Sequence, residues 1–198
     1  MKYTKPFRLA IFASGSGTNA QKLIDHFFHH QAIQVSLLLS NNPRAYAIQR
    51  AAKAGIATKV FNKAQWQGDE VLLWLSENNI SHLVLAGFLW LVPKNLIEVY
   101  PDKIINLHPA LLPKYGGKGM YGHKVHEAVK AAGEHETGIT IHLVNEKYDE
   151  GAILFQAKTS IEPTDDVQKI AEKVHQLEYE HYPRVVEGWV LKAGLGIG

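Results

Sequence analysis

The sequence predicts an α/β fold: a mostly parallel sheet with helices on both faces, and antiparallel strands added in the C-terminal half. Three observations carry this. Between residues 8 and 108, short runs rich in Leu, Ile and Val alternate with segments of helical periodicity, the pattern of a parallel sheet covered by helices. A glycine-rich turn, Gly15-Ser16-Gly17-Thr18-Asn19, separates the first such run from the first helix. After Pro113, two strand-like segments (137–144 and 151–161) are joined by a loop too short for a crossover, so they read as antiparallel neighbours.

The elements follow in order. Residues 8–13 form a buried strand, and residues 19–30 a helix with Leu23, Ile24 and Phe27 on one face. Residues 33–39 form a second strand, ended by Ser40-Asn41-Asn42-Pro43. A helix over 45–54 stops at Gly55, the expected C-terminal glycine. A short strand at 57–61 and one helix over 65–78 come next, then a continuous apolar strand at 82–86. Pro93 starts a short helix that ends near Tyr100. Ile104-Ile105-Asn106-Leu107-His108 is the next strand, closed off by Pro109 and Pro113. Beyond the glycine-rich segment 116–119 come a helix over 121–132, the two late strands, and a long helix from 165 to 192 that Pro183 should interrupt. No repeat or linker divides the chain, so residues 1–198 read as a single Rossmann-like domain.

Composition bounds the function. The chain has 198 residues, 46% hydrophobic and 20% charged, ordinary for a globular protein. It has no Cys, which excludes a thiolate nucleophile and Cys-ligated metal and fits a cytoplasmic location. A formal charge of +2 gives no case for nucleic acid, and no apolar run approaches a membrane span. His26, His29 and His30 share a helix at ligand-like spacing, but the sequence offers no carboxylate to complete a set, so no metal is expected.

Three stretches carry chemistry. Alternate strand residues point to one face, so Asn106 and His108 project together. The amide can donate to a developing oxyanion, and the imidazole can move a proton near neutral pH. Taken alone, an Asn-x-His pair is more often a turn residue and a satisfied histidine. The glycine turn lies between a strand and a helix N-terminus, where free N–H groups and the dipole favour phosphate. It lacks the Gly-Lys-Ser/Thr ending of a Walker loop. It also fits a relaxed Gly-x-Gly-x-x-Ala fingerprint ending at Ala20, so a nicotinamide enzyme is a rival. That rival wants an acid after the second strand to hold a ribose; Ser40, Asn41 and Asn42 stand there, with Arg44 nearby. The third stretch, Asn145-Glu146-Lys147-Tyr148-Asp149-Glu150-Gly151, links the late strands. From it Asp149 could reach His108 and favour the imidazolium, or simply form a solvated acidic turn. His123, His126 and His142 have no assigned role; His142 is either a core histidine or a wall of the site.

Together the glycine turn, Asn106-Leu107-His108-Pro109-Ala110-Leu111-Leu112-Pro113, Tyr148-Asp149-Glu150-Gly151 and Val84-Leu85-Ala86-Gly87-Phe88 resemble the phosphoribosylglycinamide formyltransferases of the folate-dependent formyltransferase superfamily. The resemblance spans nearly the whole chain. It implies that Asn106, His108 and Asp149 are the catalytic trio and that Gly15, Ser16, Gly17, Thr18 and Asn19 hold the substrate phosphate. It further implies that Glu178 binds the substrate ribose. The pterin of 10-formyltetrahydrofolate, the co-substrate, would lie against Leu89, Trp90, Leu91 and Val92 and against the 145–149 loop with Asn145 and Tyr148. The implied partners are small molecules, 5-phosphoribosylglycinamide and the folate, with no nucleic acid, no membrane and no metal, and the chain a monomer or weak homodimer. A methionyl-tRNA formyltransferase should carry a further RNA-binding domain, and a formyltetrahydrofolate hydrolase an N-terminal regulatory one. Neither is expected here.

Overall fold

The computed structural model describes residues 5–194; the reading of 1–198 as one domain runs past them at both ends. Seven strands form one sheet: β1 (Phe7–Phe12), β2 (Ile33–Ser40), β3 (Ala57–Val60), β4 (His82–Leu85), β5 (Ile104–His108), β6 (Glu136–Leu143) and β7 (Ile153–Ser160). Their order across the sheet is β3-β2-β1-β4-β5-β6-β7. The first five are parallel, and β6 and β7 join antiparallel. This is the expected α/β class.

Helices cover both faces. On one, α1 (Thr18–Phe27), α2 (Tyr46–Lys53) and α7 (Val167–Gly194) pack Leu23, Ile24, Ala47, Ala51, Val174 and Tyr182 against Leu9, Ile11 and Ile105. On the other, α3 (Lys63–Gln67), α4 (Glu70–Glu77) and α5 (Lys94–Val99) press Trp66, Val71, Leu75 and Leu96 onto Phe12, Leu39 and Leu83. The remaining helix, α6 (His123–Ala131), packs Val125 and Val129 with Ile161 and Ile170. Among the described residues no helix is long and apolar enough to cross a membrane.

Two expectations fail, one for a local reason and one for a tertiary one. The single helix over 65–78 is two helices. The side chain of Asn62 accepts from Gln65 N–H, and that of Gln65 accepts from Asn62 N–H, a reciprocal cap that starts α3 two residues earlier. Gly68 then turns to an extended ψ of −162° and ends it. Conversely, Pro183 does not interrupt α7. It removes one helical N–H, but its neighbours Tyr182, Val186 and Val190 are fully buried, and the Tyr182 hydroxyl donates to the Leu85 carbonyl at 2.8 Å. That burial outweighs the lost hydrogen bond and the crowding of the ring against the preceding turn, together about 3 kcal/mol.

In this sheet β1 lies between β2 and β4, so the chain reverses direction of travel across the sheet at β1. Ligands of open α/β sheets bind beyond the carboxyl ends of strands at such a point. The glycine turn, residues 87–92 and the end of β5 all meet there.

Candidate active site

A cleft of about 600 Å³ opens at that edge. Its walls include Gly15, Ser16, Gly17, Thr18 and Asn19 at one end and Asn106, His108, His142 and Asp149 at the other. Leu89, Trp90, Leu91, Val92 and Tyr148 also line it, as do His126, His175 and Glu178.

At the glycine turn, Gly17 precedes α1 with φ +70°, a conformation a side chain disfavours. A Cβ there would sit 2.5 Å from the Ala47 Cβ, so only glycine lets the turn approach α2 this closely. Ala47 N–H donates to Gly15 O at 3.2 Å, and Arg50 Nε to Ser16 O at 2.9 Å. Asn41 accepts from the Ser14 hydroxyl at 2.7 Å, and Asn42 Nδ2 donates to Ser14 O at 3.1 Å. The place where a dinucleotide enzyme needs a ribose-holding acid is thus filled by two amides that brace the turn. Asn19 Nδ2 donates to Glu178 Oε2 at 2.8 Å, tying α1 to α7.

At the other end, Asn106 and His108 do share a face of β5. The antiparallel pairing sets His142 of β6 directly opposite Asn106. His142 Nδ1 donates to the Leu143 carbonyl at 2.8 Å, so its Nε2 is left as an acceptor. Asn106 Nδ2 donates to that Nε2 at 3.1 Å. This chain sets the orientation of the amide. The second Nδ2 hydrogen has only a long contact, 3.5 Å, with Asp149 Oδ1. His142 is therefore a wall of the site. Its signal in the sequence was its place on an alternating strand that pairs with the Asn-x-His strand.

Asp149 does meet His108. It takes φ +56° in its turn, a region Asp tolerates better than bulkier residues. Its Oδ2 lies 3.6 Å from His108 Nδ1 and accepts from Gly117 N–H at 2.9 Å, while its Oδ1 lies 3.6 Å from His142 Nε2. Burial pushes the Asp149 carboxyl up, but in the acid range where it titrates a hydrogen bond from His142 once that ring is protonated, the charge of protonated His108 and the Gly117 N–H together hold it below the ordinary range. His108 Nε2 donates to the Tyr115 carbonyl at 2.8 Å, so the glycine-rich segment touches both members of the pair. The expected rise of the His108 pKa does not result. Burial lowers it, Asp149 and the Tyr115 carbonyl raise it, and burial prevails. With Nε2 carrying the hydrogen, the resting ring presents Nδ1 as an acceptor facing Asp149.

The two segments assigned to the pterin also meet: the Tyr148 hydroxyl accepts from Leu91 N–H at 3.2 Å. Trp66 Nε1, from α3, donates to Leu91 O at 2.9 Å and fixes that loop from beneath. Leu89 and Leu91 remain exposed, an apolar ledge beside a polar floor. Asn145 departs from expectation. Its side chain accepts from Lys147 N–H at 2.9 Å, which closes its own turn, and it is not on the cleft wall. A further correction lies far from the cleft. Glu187 of α7 bridges His26 at 2.7 Å and His30 at 3.4 Å, a carboxylate that sequence proximity could not supply. His30 Nδ1 accepts from the Ile33 N–H at 2.9 Å, so its Nε2 is the donor to Glu187 and the contact is a hydrogen-bonded clasp.

Comparison with known proteins identifies the family and agrees with the fold. The model of the formyl transferase family matches residues 7–186. The chain belongs to the formyl transferase family. It is 37% identical over 186 residues to a chloroplastic phosphoribosylglycinamide formyltransferase of Arabidopsis thaliana, covering 90% of this chain and 64% of that protein. It is 34% identical over 187 residues to the phosphoribosylglycinamide formyltransferase of Haemophilus influenzae, covering 91% and 85%. Against the crystal structure of the same-named protein from Bacillus halodurans the TM-score is 0.85 at 33% identity, with 94% and 96% covered. The chain thus spans under two thirds of the Arabidopsis relative but most of the two bacterial ones.

Proposed function

We propose that the protein transfers the formyl group of 10-formyltetrahydrofolate to the amine of 5-phosphoribosylglycinamide, a step of de novo purine (IMP) synthesis. The observation that carries this reading is the meeting of Asn106, His108 and Asp149 in one cleft with a glycine turn at a helix N-terminus. The turn suits a phosphate, through free N–H groups and the helix dipole. The ledge of Leu89, Trp90, Leu91, Val92 and Tyr148 suits a flat heterocycle that carries the formyl group toward Asn106.

In this scheme the substrate amine attacks the formyl carbon and a tetrahedral oxyanion forms. The Asn106 Nδ2 hydrogen that at rest makes only the long contact with Asp149 Oδ1 donates to that oxygen, an interaction typically worth about 2.7–4 kcal/mol in the transition state. The proton lost by the amine goes to His108 Nδ1, which rests as an acceptor. The imidazolium so formed faces Asp149 at 3.6 Å, and its Nε2–H stays on the Tyr115 carbonyl. Collapse breaks the bond between the formyl carbon and the folate nitrogen. That nitrogen regains a proton from His108 or through a water ordered by Asp149. Neither a metal nor a covalent enzyme intermediate enters these steps.

The test is a transfer assay with purified protein, following the folate product by absorbance and the formylated ribonucleotide by mass. Turnover that requires both substrates is expected. Absence of transfer, together with no thermal stabilisation by either substrate, overturns the reading.

A further inference from the structure

The part of the cleft lined by His126, His175 and Glu178 holds polar atoms that the transfer scheme leaves unused. His126, in the first turn of α6, is 2% exposed and lines the cleft. Its Nδ1 is buried and has no hydrogen-bond partner among the described residues. Asn19 Oδ1, on the neighbouring wall, is in the same condition. Both flank Glu178, whose Oε2 accepts from Asn19 Nδ2 and from His175 Nδ1, each at 2.8 Å. The His126 ring stands edge-on to that of His175, with centroids 6.4 Å apart.

Buried polar atoms in folded proteins are nearly always paired, because an unpaired one has given up water and gained nothing. Two such atoms on the walls of one cleft, either side of a carboxylate, mark a place that a bound group completes. The chemistry of the corner narrows what that group is. Glu178 repels an anion. Burial, with the charge of His175, pushes the His126 pKa down to about 4, so the ring is a neutral imidazole at neutral pH and offers an anion no compensation. A hydroxyl fits, since it donates to an amide oxygen or carboxylate and also pairs with an imidazole nitrogen. Asn19 ties Glu178 to the glycine turn at 2.8 Å, and Glu178 is near enough to act on His108 electrostatically, so a sugar that links a phosphate on the turn to an amine at His108 would come within its reach.

We propose that His126 is a specificity-determining residue that hydrogen-bonds a hydroxyl of the substrate ribose through Nδ1, sharing the vicinal diol with Glu178 and Asn19. This rests on the transferase reading above and adds a residue that enforces a ribosyl over a deoxyribosyl substrate.

The test compares the ribosyl substrate with its 2′-deoxy and 3′-deoxy analogues in the parent protein and in His126→Phe, His126→Asn and His126→Gln. In the parent, at least one deoxy analogue should raise KM about tenfold. In His126→Phe the ribosyl KM should rise and that penalty should shrink to about twofold or less. Asn places an amide near the Nδ1 position and should retain most of the penalty; Gln reaches toward Nε2 and should lose it. If His126→Phe fails to fold, the Asn and Gln pair decides on the same terms. Full penalties persisting in Phe or Gln, no penalty in the parent, or Asn failing as completely as Gln overturns the assignment. A parent protein that transfers no formyl group to the ribosyl substrate instead overturns the underlying functional reading, and the two failures are thereby distinct.

Discussion

Replacing Gly17 by Ala tests the phosphate turn. The new Cβ would lie 2.5 Å from the Ala47 Cβ and 2.6 Å from its Cα, whereas carbon atoms rest at about 3.5–4.0 Å. The turn and α2 must therefore part by roughly 1 Å. That separation strains the Ala47 N–H to Gly15 O bond and the Arg50 to Ser16 O bond. The φ of +70° adds about 1–2 kcal/mol for a non-glycine residue, and overpacking typically adds about 1–3. The sum, roughly 2–5 kcal/mol, corresponds to a fall in Tm of roughly 4–20 °C for a chain of this size. Under the proposed function the turn's free N–H groups hold the phosphate, so moving the turn should also raise KM for the phosphorylated substrate at least about tenfold, equivalent to about 1.4 kcal/mol. Thermal melts and steady-state kinetics read both. Gly15→Ala is the control for stability: its Cβ meets nothing within 4 Å, so Tm should hold. A Gly17→Ala protein with parental Tm and KM would refute the reasoning about the turn.

Two further perturbations follow from the same structure. His82 and His126 are buried with pKa values pushed down to about 4 from 6.5, chiefly by burial. Lowered in the folded state, each contributes stability that is full above about pH 6.5 and is lost as pH falls toward 4, on the order of 3 kcal/mol apiece. Denaturant melts across that window should show the decline, with that of His82→Leu smaller by on the order of 3 kcal/mol; coincident profiles would count against it. His142→Ala removes the acceptor that orients Asn106, and kcat should fall roughly tenfold, by about 1–2 kcal/mol. Turnover within twofold of the parent would mean that the amide is held by something else.

Legibility in the sequence tracked the range of the interactions. The parallel strands and the shared face of Asn106 and His108 could be read because period-two alternation is local. The break at Gly68 lies within a continuous apolar pattern that masks it; the extended turn of that glycine after the capped, five-residue α3 is visible only in the structure. Pro183 misled in the other direction: its local cost is visible in the sequence, but the burial of Tyr182 and Val186 that offsets it is tertiary. In the site, the Asp149–His108 contact was reachable only through the family resemblance, since a loop 41 residues from His108 (149 − 108) carries no local mark of its partner. The pairing of His142 with Asn106, the clasp of Glu187 on two histidines and the burial that lowers the His108 pKa all depend on which elements pack together. Asn145 shows the converse. Its neighbours Lys147, Tyr148 and Asp149 line the cleft, yet its own short side chain is spent on its turn.

The most direct test of the central claim, that an amide, an imidazole and a carboxylate act as one unit on the formyl carbon, is the turnover of Asp149→Asn. The amide oxygen can still accept from Gly117 N–H, so the loop stays tied while the charge opposite His108 is gone. Thermal stabilisation by the phosphorylated substrate should persist while kcat falls by about 100-fold or more, a loss of roughly 2.7 kcal/mol. A kcat within about threefold of the parent would contradict the account.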